Sequence, residues 1–509
     1  MRKIAVIFIS LLTILALGLT ACGPKLSPEE QELALDSAGE KPSSKRTRLE
    51  LAIPPDLDSD YRPALSSRIE QRVITAQLYE GLCGYNTQGK VRLQAAAKIL
   101  PNADYTQWVI HLRDDLKWSD GTSLTAEDFK NSWVKRLKPE SKAELAFLGF
   151  KIKAAEDYYN GLVEAEELGI TVKDNSLIID LIEADENFPE WLTRDFFLPE
   201  KELAGQKLYN GPYCLKSETE EELILEHNPQ YWDDINTHIK EIRFRKMDDP
   251  VAAYEAFVRG DIDYFGLPFY QVPHARREAC SRQPEFISAE IGEISYLDLS
   301  AEEALFSTFE LRKALYQALD VPFILRVIRC DKSEALFEQA APDSKLRKEL
   351  QADFPELMAA VGLEEKPREP LIGMSEGSYL EYRELIACGK QWLDLYQLRL
   401  LINEESKFPQ EEKASFIYRK CLYGSNNQND LIYYLKNQDK TRLTASRIFT
   451  VREEFASSAD FPSAFEALAD SLIVLPLAKL NWQILIQAHL EGFYLPPNAL
   501  VRLQDLNLR

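Results

Sequence analysis

The stretch W-V-I-H-L-R-D-D-L-K-W-S-D-G-T-S-L-T-A-E-D-F-K-N-S-W, Trp108 to Trp133, holds three structural instructions in a row. Trp108 to Arg113 alternates apolar and polar side chains, the period of a strand with one buried face. Asp120-Gly121 signals a turn. Thr125 then precedes Ala-Glu-Asp-Phe, so its hydroxyl is placed to cap a helix whose first-turn carboxylates suit the helix dipole. Trp118 and Trp133 are large apolar anchors for packing.

Working outward, the same alternation of strand and helix signals continues. Leu49 to Ile53 alternates like a strand, and a short extended piece before Val73 leads into a helix expected over Val73 to Leu82. Strands are expected at Ser176–Leu181, Tyr213–Leu215, Leu223–Glu226, Ile239–Arg245, Ile262–Phe265, Ile294–Leu299, Pro370–Met374 and Arg399–Ile402. Helices are expected from Phe188 onward and over Pro250–Arg259, Phe309–Leu319, Pro322–Arg329, Lys345–Leu363 and Tyr379–Leu395. The tail reads as mixed short strands, and no internal repeat is visible. Interleaved strands and helices place the chain in the α/β class.

The chain of 509 residues carries 60 Lys and Arg against 82 Asp and Glu, a net charge of −22. That balance speaks against a nucleic-acid partner, because phosphate binding needs basic surface. A hydrophobic fraction of 45 % gives ample material for large cores.

The amino terminus reads as an address. Arg2 and Lys3 precede an apolar run, Ile4 to Leu19, that ends in Leu-Thr-Ala-Cys at Cys22. A basic start, a short apolar stretch and small residues at its end describe a secretory signal over residues 1–21. The ending resembles the lipobox of bacterial lipoproteins, which implies cleavage before Cys22 and lipidation of that thiol. Residues 22–48 are polar and aperiodic and read as a tether. Gly23 does not supply the inner-membrane aspartate signal, so either face of the periplasm, or the outer face of the cell membrane, stays open. Six further cysteines are widely and irregularly spaced, compatible with buried thiols or with disulfides.

Six blocks, in order, resemble the family 5 extracellular solute-binding proteins of ABC importers, the oligopeptide-binding type in particular. They are Arg62–Leu65 with Leu78–Leu82, Trp108–Trp133, Asn210–Tyr213 with Glu226–Trp232, Gly260–Tyr264, Leu311–Asp320, and the weaker Ser471–Pro476. The resemblance implies a two-lobed, hinged periplasmic-binding-protein fold of the large peptide-binding type. Its first lobe would be residues 49–79, 200–292 and 499–509, with a domain inserted over 80–199, and its second lobe 293–498. It also implies a peptide or peptide-like solute held between closing lobes and an importer permease as partner. A monomer without a cofactor is expected.

In that family the ligand's main chain pairs with protein strands, and the corresponding edge here falls at Ser67, Arg68 and Ile69. The family also places an aspartate against the ligand's ammonium. Aligning Tyr434-Leu435 with the family's aromatic-Leu pair puts Asn427 there, with Asp430 three residues on. Losing that carboxylate removes a charge-assisted bond worth about 1.5–3 kcal/mol. Tyr423 stands near the usual tryptophan, and Arg419 and Lys420 are cations that suit a carboxylate.

Other functions were weighed on the residues. Gly373 to Gly377 matches G-x-S-x-G between a strand and a helix, but only His489 lies downstream to complete a triad, so an enzyme is not expected. The five histidines form no pair at helical spacing, which disfavours a directly coordinated metal. A non-peptide solute, a chelated metal, or a receptor or adhesin role on the same scaffold are the alternatives.

Overall fold

The structure is a computed structural model that describes residues 47–509 apart from 67, 139, 142, 274–275, 300–303, 327–333, 336–344, 361–370, 376–378, 397, 399, 405–415 and 423–473. Twenty elements matter for the site. The chain opens with β1 (Arg48–Ile53) and α1 (Ile69–Leu78). A small unit follows with β2 (Ala96–Pro101), β3 (Gln107–Leu112), α2 (Ala126–Arg136), β4 (Ile170–Lys173) and β5 (Ser176–Asp180). Next come β6 (Tyr213–Glu218), β7 (Glu222–His227), β8 (Glu241–Lys246), α3 (Pro250–Val258), β9 (Tyr264–Gly266) and the long β10 (Phe286–Leu299). The remainder holds α4 (Phe309–Gln317), α5 (Lys345–Ala360), β11 (Leu371–Ser375), α6 (Tyr379–Tyr396), β12 (Leu400–Glu404), β13 (Phe416–Leu422) and β14 (Val474–Ile486).

The opening stretch folds as its sequence dictates. β3 buries alternate residues, including Trp108 and Ile110, at the centre of a four-stranded sheet in the order β2-β3-β5-β4. The backbone N–H of Thr125 donates to Asp128 Oδ2 at 2.9 Å, closing a capping box at the start of α2. Trp133 on α2 meets Phe197 edge to face, with ring centroids 5.2 Å apart.

One large sheet runs through most of the remaining chain in the order β6-β7-β8-β1-β9-β14-β10-β13-β11-β12. Its first half is buried in one apolar cluster and its second half in another. Among the described residues β10 and β14 are the strands of this sheet that serve both. On β10 the change falls between Tyr296 and Leu297, and on β14 between Leu480 and Trp482. The tail holds the expected short strands, Leu490–Glu491 paired with Asn507–Leu508, but β14 before them is a single strand of 13 residues, because its pairing with β10 carries it past the end of the apolar run. For the same reason β10 starts well before the expected Ile294.

The first helix also differs from expectation. α1 spans Ile69–Leu78, not Val73–Leu82, and Tyr79 is extended. Asn210 holds the chain beyond it: its Oδ1 accepts from Glu80 N at 3.1 Å and its Nδ2 donates to Glu80 O at 2.8 Å. The Glu80 carboxylate is buried and accepts from the Tyr231 hydroxyl and the Trp232 indole N–H, with Arg502 Nη1 at 3.4 Å. Three of the recurring sequence blocks and the tail are thus joined at one carboxylate, which explains them as carriers of fold.

Candidate functional site

The strand directions locate the site. β1 runs parallel to β8 and β9, while β9 is antiparallel to β14, with Tyr264 opposite Ile486 and Gly266 opposite Ile484. The carboxyl ends of β1, β8 and β9 therefore all point toward Gln483 and Asn481, where β14 passes between the cores. From the other side, β13 is antiparallel to β10, with Phe416 opposite Leu299 and Leu422 opposite Glu293, and β11 and β12 run parallel to it. Six carboxyl ends, three from each half, converge on one crevice. Open α/β sheets bind ligands outside such carboxyl ends.

The floor of the crevice is irregular. Glu290 pairs with Asn481 and Ile294 with Lys479, so Ile291, Gly292 and Glu293 face a single residue, Leu480. This bulge lies where β14 changes cores, just before β10 does, and bulges serve to re-aim side chains. It also concentrates polarity: Glu293, Ser295, Asp298, Asn481 and Gln483 are all buried. Glu293 is 6 % exposed, and its Oε2 accepts from Trp482 Nε1 at 3.2 Å.

The wall from the first half contains two of the residues expected from the sequence. Arg68 is the extended residue before α1; its N–H donates to Ser66 Oγ at 3.1 Å and its carbonyl accepts from Arg72 N at 3.1 Å. Ile69 is the first residue of α1. The Arg68 guanidinium reaches Asp56 Oδ2 at 3.1 Å and lies 3.9 Å from Glu70 Oε2. Burial raises the Glu70 carboxyl above its ordinary range, opposed by the charges of Arg68 and Lys420. Lys420 thus acts electrostatically on the opposite wall of the crevice. It is exposed near the end of β13, in register with Ser295, and Arg419 is in register with Tyr296. Ser67, Tyr423, Asn427, Asp430 and the lipidation candidate Cys22 lie outside the described residues.

Sequence reading missed the floor. Nothing local distinguishes Glu293 in I-G-E-I-S-Y or Asn481 in L-N-W-Q-I; only the pairing of β10 with β14 brings them to the crevice. His489 is engaged with Asp263, Nε2 to Oδ1 at 2.8 Å, in the first half, while Ser375 closes β11 in the second. The described cysteines Cys83, Cys214, Cys280 and Cys388 are free thiols. Burial pushes the Cys83 thiol up to about 12.

The comparisons agree with this architecture. The murein tripeptide binding protein MppA of Escherichia coli superposes with a TM-score of 0.75 at 19 % identity, covering 91 % of this chain and 99 % of that one. A periplasmic oligopeptide-binding protein of Borrelia burgdorferi gives the same TM-score and identity over 91 % of this chain and 100 % of its own. The fold is therefore the two-lobed periplasmic-binding-protein fold, with mixed α/β content. By sequence, the oligopeptide-binding protein OppA of Bacillus subtilis is 25 % identical over 332 residues, which is 62 % of this chain and 60 % of the relative. The periplasmic oligopeptide-binding protein OppA of Haemophilus influenzae is 28 % identical over 277 residues, 51 % of each chain. The matches span half to three fifths of these relatives' length. The family profile described as bacterial extracellular solute-binding proteins, family 5 middle, covers residues 90–347. With more than half of the sequence inside that profile and a crevice between two halves of one sheet, this chain belongs to the family 5 bacterial extracellular solute-binding proteins.

Proposed function

We propose that the protein is a lipoprotein, anchored through Cys22 outside the cytoplasm, that captures a peptide or peptide-like solute between two closing lobes and hands it to the permease of an ABC importer. The observation that carries this reading is the convergence of six strand ends on one polar crevice, crossed among the described residues by two strands. Two crossing strands make a hinge, and hinge closure around a ligand is the established way such a crevice works. The names of the sequence relatives, oligopeptide-binding proteins from two organisms, support a peptide as the solute.

In this reading the lobes are residues 49–79, 200–292 and 499–509 on one side and 293–498 on the other, with 80–199 as an inserted domain. Ser67, Arg68, Ile69, Arg419, Lys420, Tyr423, Asn427 and Asp430 contact the solute. Main-chain pairing supplies affinity without reading side chains. The protein acts as a monomer.

Native mass spectrometry of the mature chain, purified from its host without denaturation, tests the reading. A co-purifying peptide, released by acid and sequenced, is the expected result. A non-peptide mass bound in its place would overturn it.

A further inference from the structure

We infer that Glu293 is the group that receives the positive charge of the solute, so that the crevice takes ligands with a protonated amine. The inference rests on the proposed capture of a solute in this crevice and names the chemistry of its recognition.

Glu293 is more than nine-tenths buried, and the indole N–H of Trp482 is its one hydrogen-bond donor among the described residues. No Lys or Arg among the described residues pairs with it. Three other buried acids among the described residues have a basic partner: Asp195 has Arg72, Glu80 has Arg502, and Asp263 has His489. A buried carboxylate facing one neutral donor is costly, and proteins keep such groups where a ligand or reaction supplies the missing charge.

Its position fits that role. Glu293 lies in the bulge opposite Leu480, where β14 passes from one core to the other. It stands in register with Leu422, the last residue of β13, beyond which the chain continues to Asn427, where the family resemblance would place an aspartate. Lys479 is in register with Ile294 and Lys420 with Ser295, so neither cation is the cross-strand partner of Glu293.

The test is calorimetric titration of the mature chain and its Glu293→Gln variant with tri-alanine, N-acetyl-tri-alanine and 1,4-diaminobutane. The wild type should prefer tri-alanine over the acetylated form by about tenfold to a hundredfold. Glu293→Gln should bring the two within about threefold, the acetylated peptide keeping its affinity. The ligand-free variant should melt no lower than the wild type, since an uncompensated buried charge is gone. Glu293→Ala, tested in the same way, covers a failure of the amide variant to fold. An undiminished preference in both variants would overturn the inference, as would loss of the preference in Asp430→Asn alone. If the wild type binds diaminobutane but no peptide, and Glu293→Gln abolishes that binding, the inference stands and the peptide reading falls. Binding of none of the three overturns both.

Discussion

The indole N–H of Trp482 donates to the carboxylate of Glu293 at 3.2 Å in the bulge where β14 leaves one core for the other. This contact ties the two crossing strands together on the floor of the crevice. Replacing Trp482 by Phe removes the donor and part of a packed ring. The loss of the bond leaves Glu293 with no donor and costs about 1–3 kcal/mol, and the smaller ring adds to it. Urea unfolding of the two chains measures the difference.

A second prediction concerns the backbone beside that floor. Gly266 has φ +141°, and a Cβ there would stand 2.4 Å from the carbonyl oxygen of Gln483 and 2.7 Å from Ile484 Cα. Backbone cannot yield as a flexible side chain can. Gly266→Ala should therefore cost more than about 2 kcal/mol, with the conformational strain adding to the clash. Thermal unfolding against Gly205→Ala, which has φ +80° and so carries backbone strain but has open space around it, separates clash from strain.

The capping box is local and gives a smaller effect. Asp128 accepts from Thr125 N at 2.9 Å and from Trp118 Nε1 at 3.3 Å. Asp128→Ala should lower stability by about 1–2 kcal/mol. Differential scanning calorimetry on the full chain reads it.

Much of this architecture was legible in the sequence, and the reason is range. Thr125 and Asp128 are three residues apart, so the helix start at Ala126 is written where it occurs. The hairpin of β6 and β7 is similarly local. The end of α1 differs from expectation because the chain beyond it is held by Asn210, 130 residues away, gripping Glu80. The second half of β14 was missed because Asn481 and Gln483 end the apolar run while pairing with β10 continues. The site suffered most: every residue on the floor reaches it through that long-range pairing. What sequence did mark, Arg68 and Lys420, lies at the start of α1 and near the end of β13.

Acid should weaken the loop that leads to Arg68. Burial works to raise the Asp60 carboxyl, but hydrogen bonds and charges from Arg62 and Lys207 outweigh it and hold the group at about 2. A carboxyl depressed in the folded state contributes stability above its unfolded value of about 3.9. That contribution fades as pH falls from there through about 2. The difference in melting temperature between the wild type and Asp60→Asn should thus be constant above about pH 5 and shrink toward zero near pH 2. A difference that persists at pH 2 would show that the carboxylate charge is not its source.

The most direct measurement of solute capture is calorimetric titration of the mature chain with a mixed set of di- to pentapeptides at several temperatures. Saturable one-to-one heat with a negative heat-capacity change is expected, because closing two lobes over a ligand buries apolar surface. Heat indistinguishable from dilution for every peptide would contradict peptide capture, and saturable binding without a heat-capacity change would contradict closure.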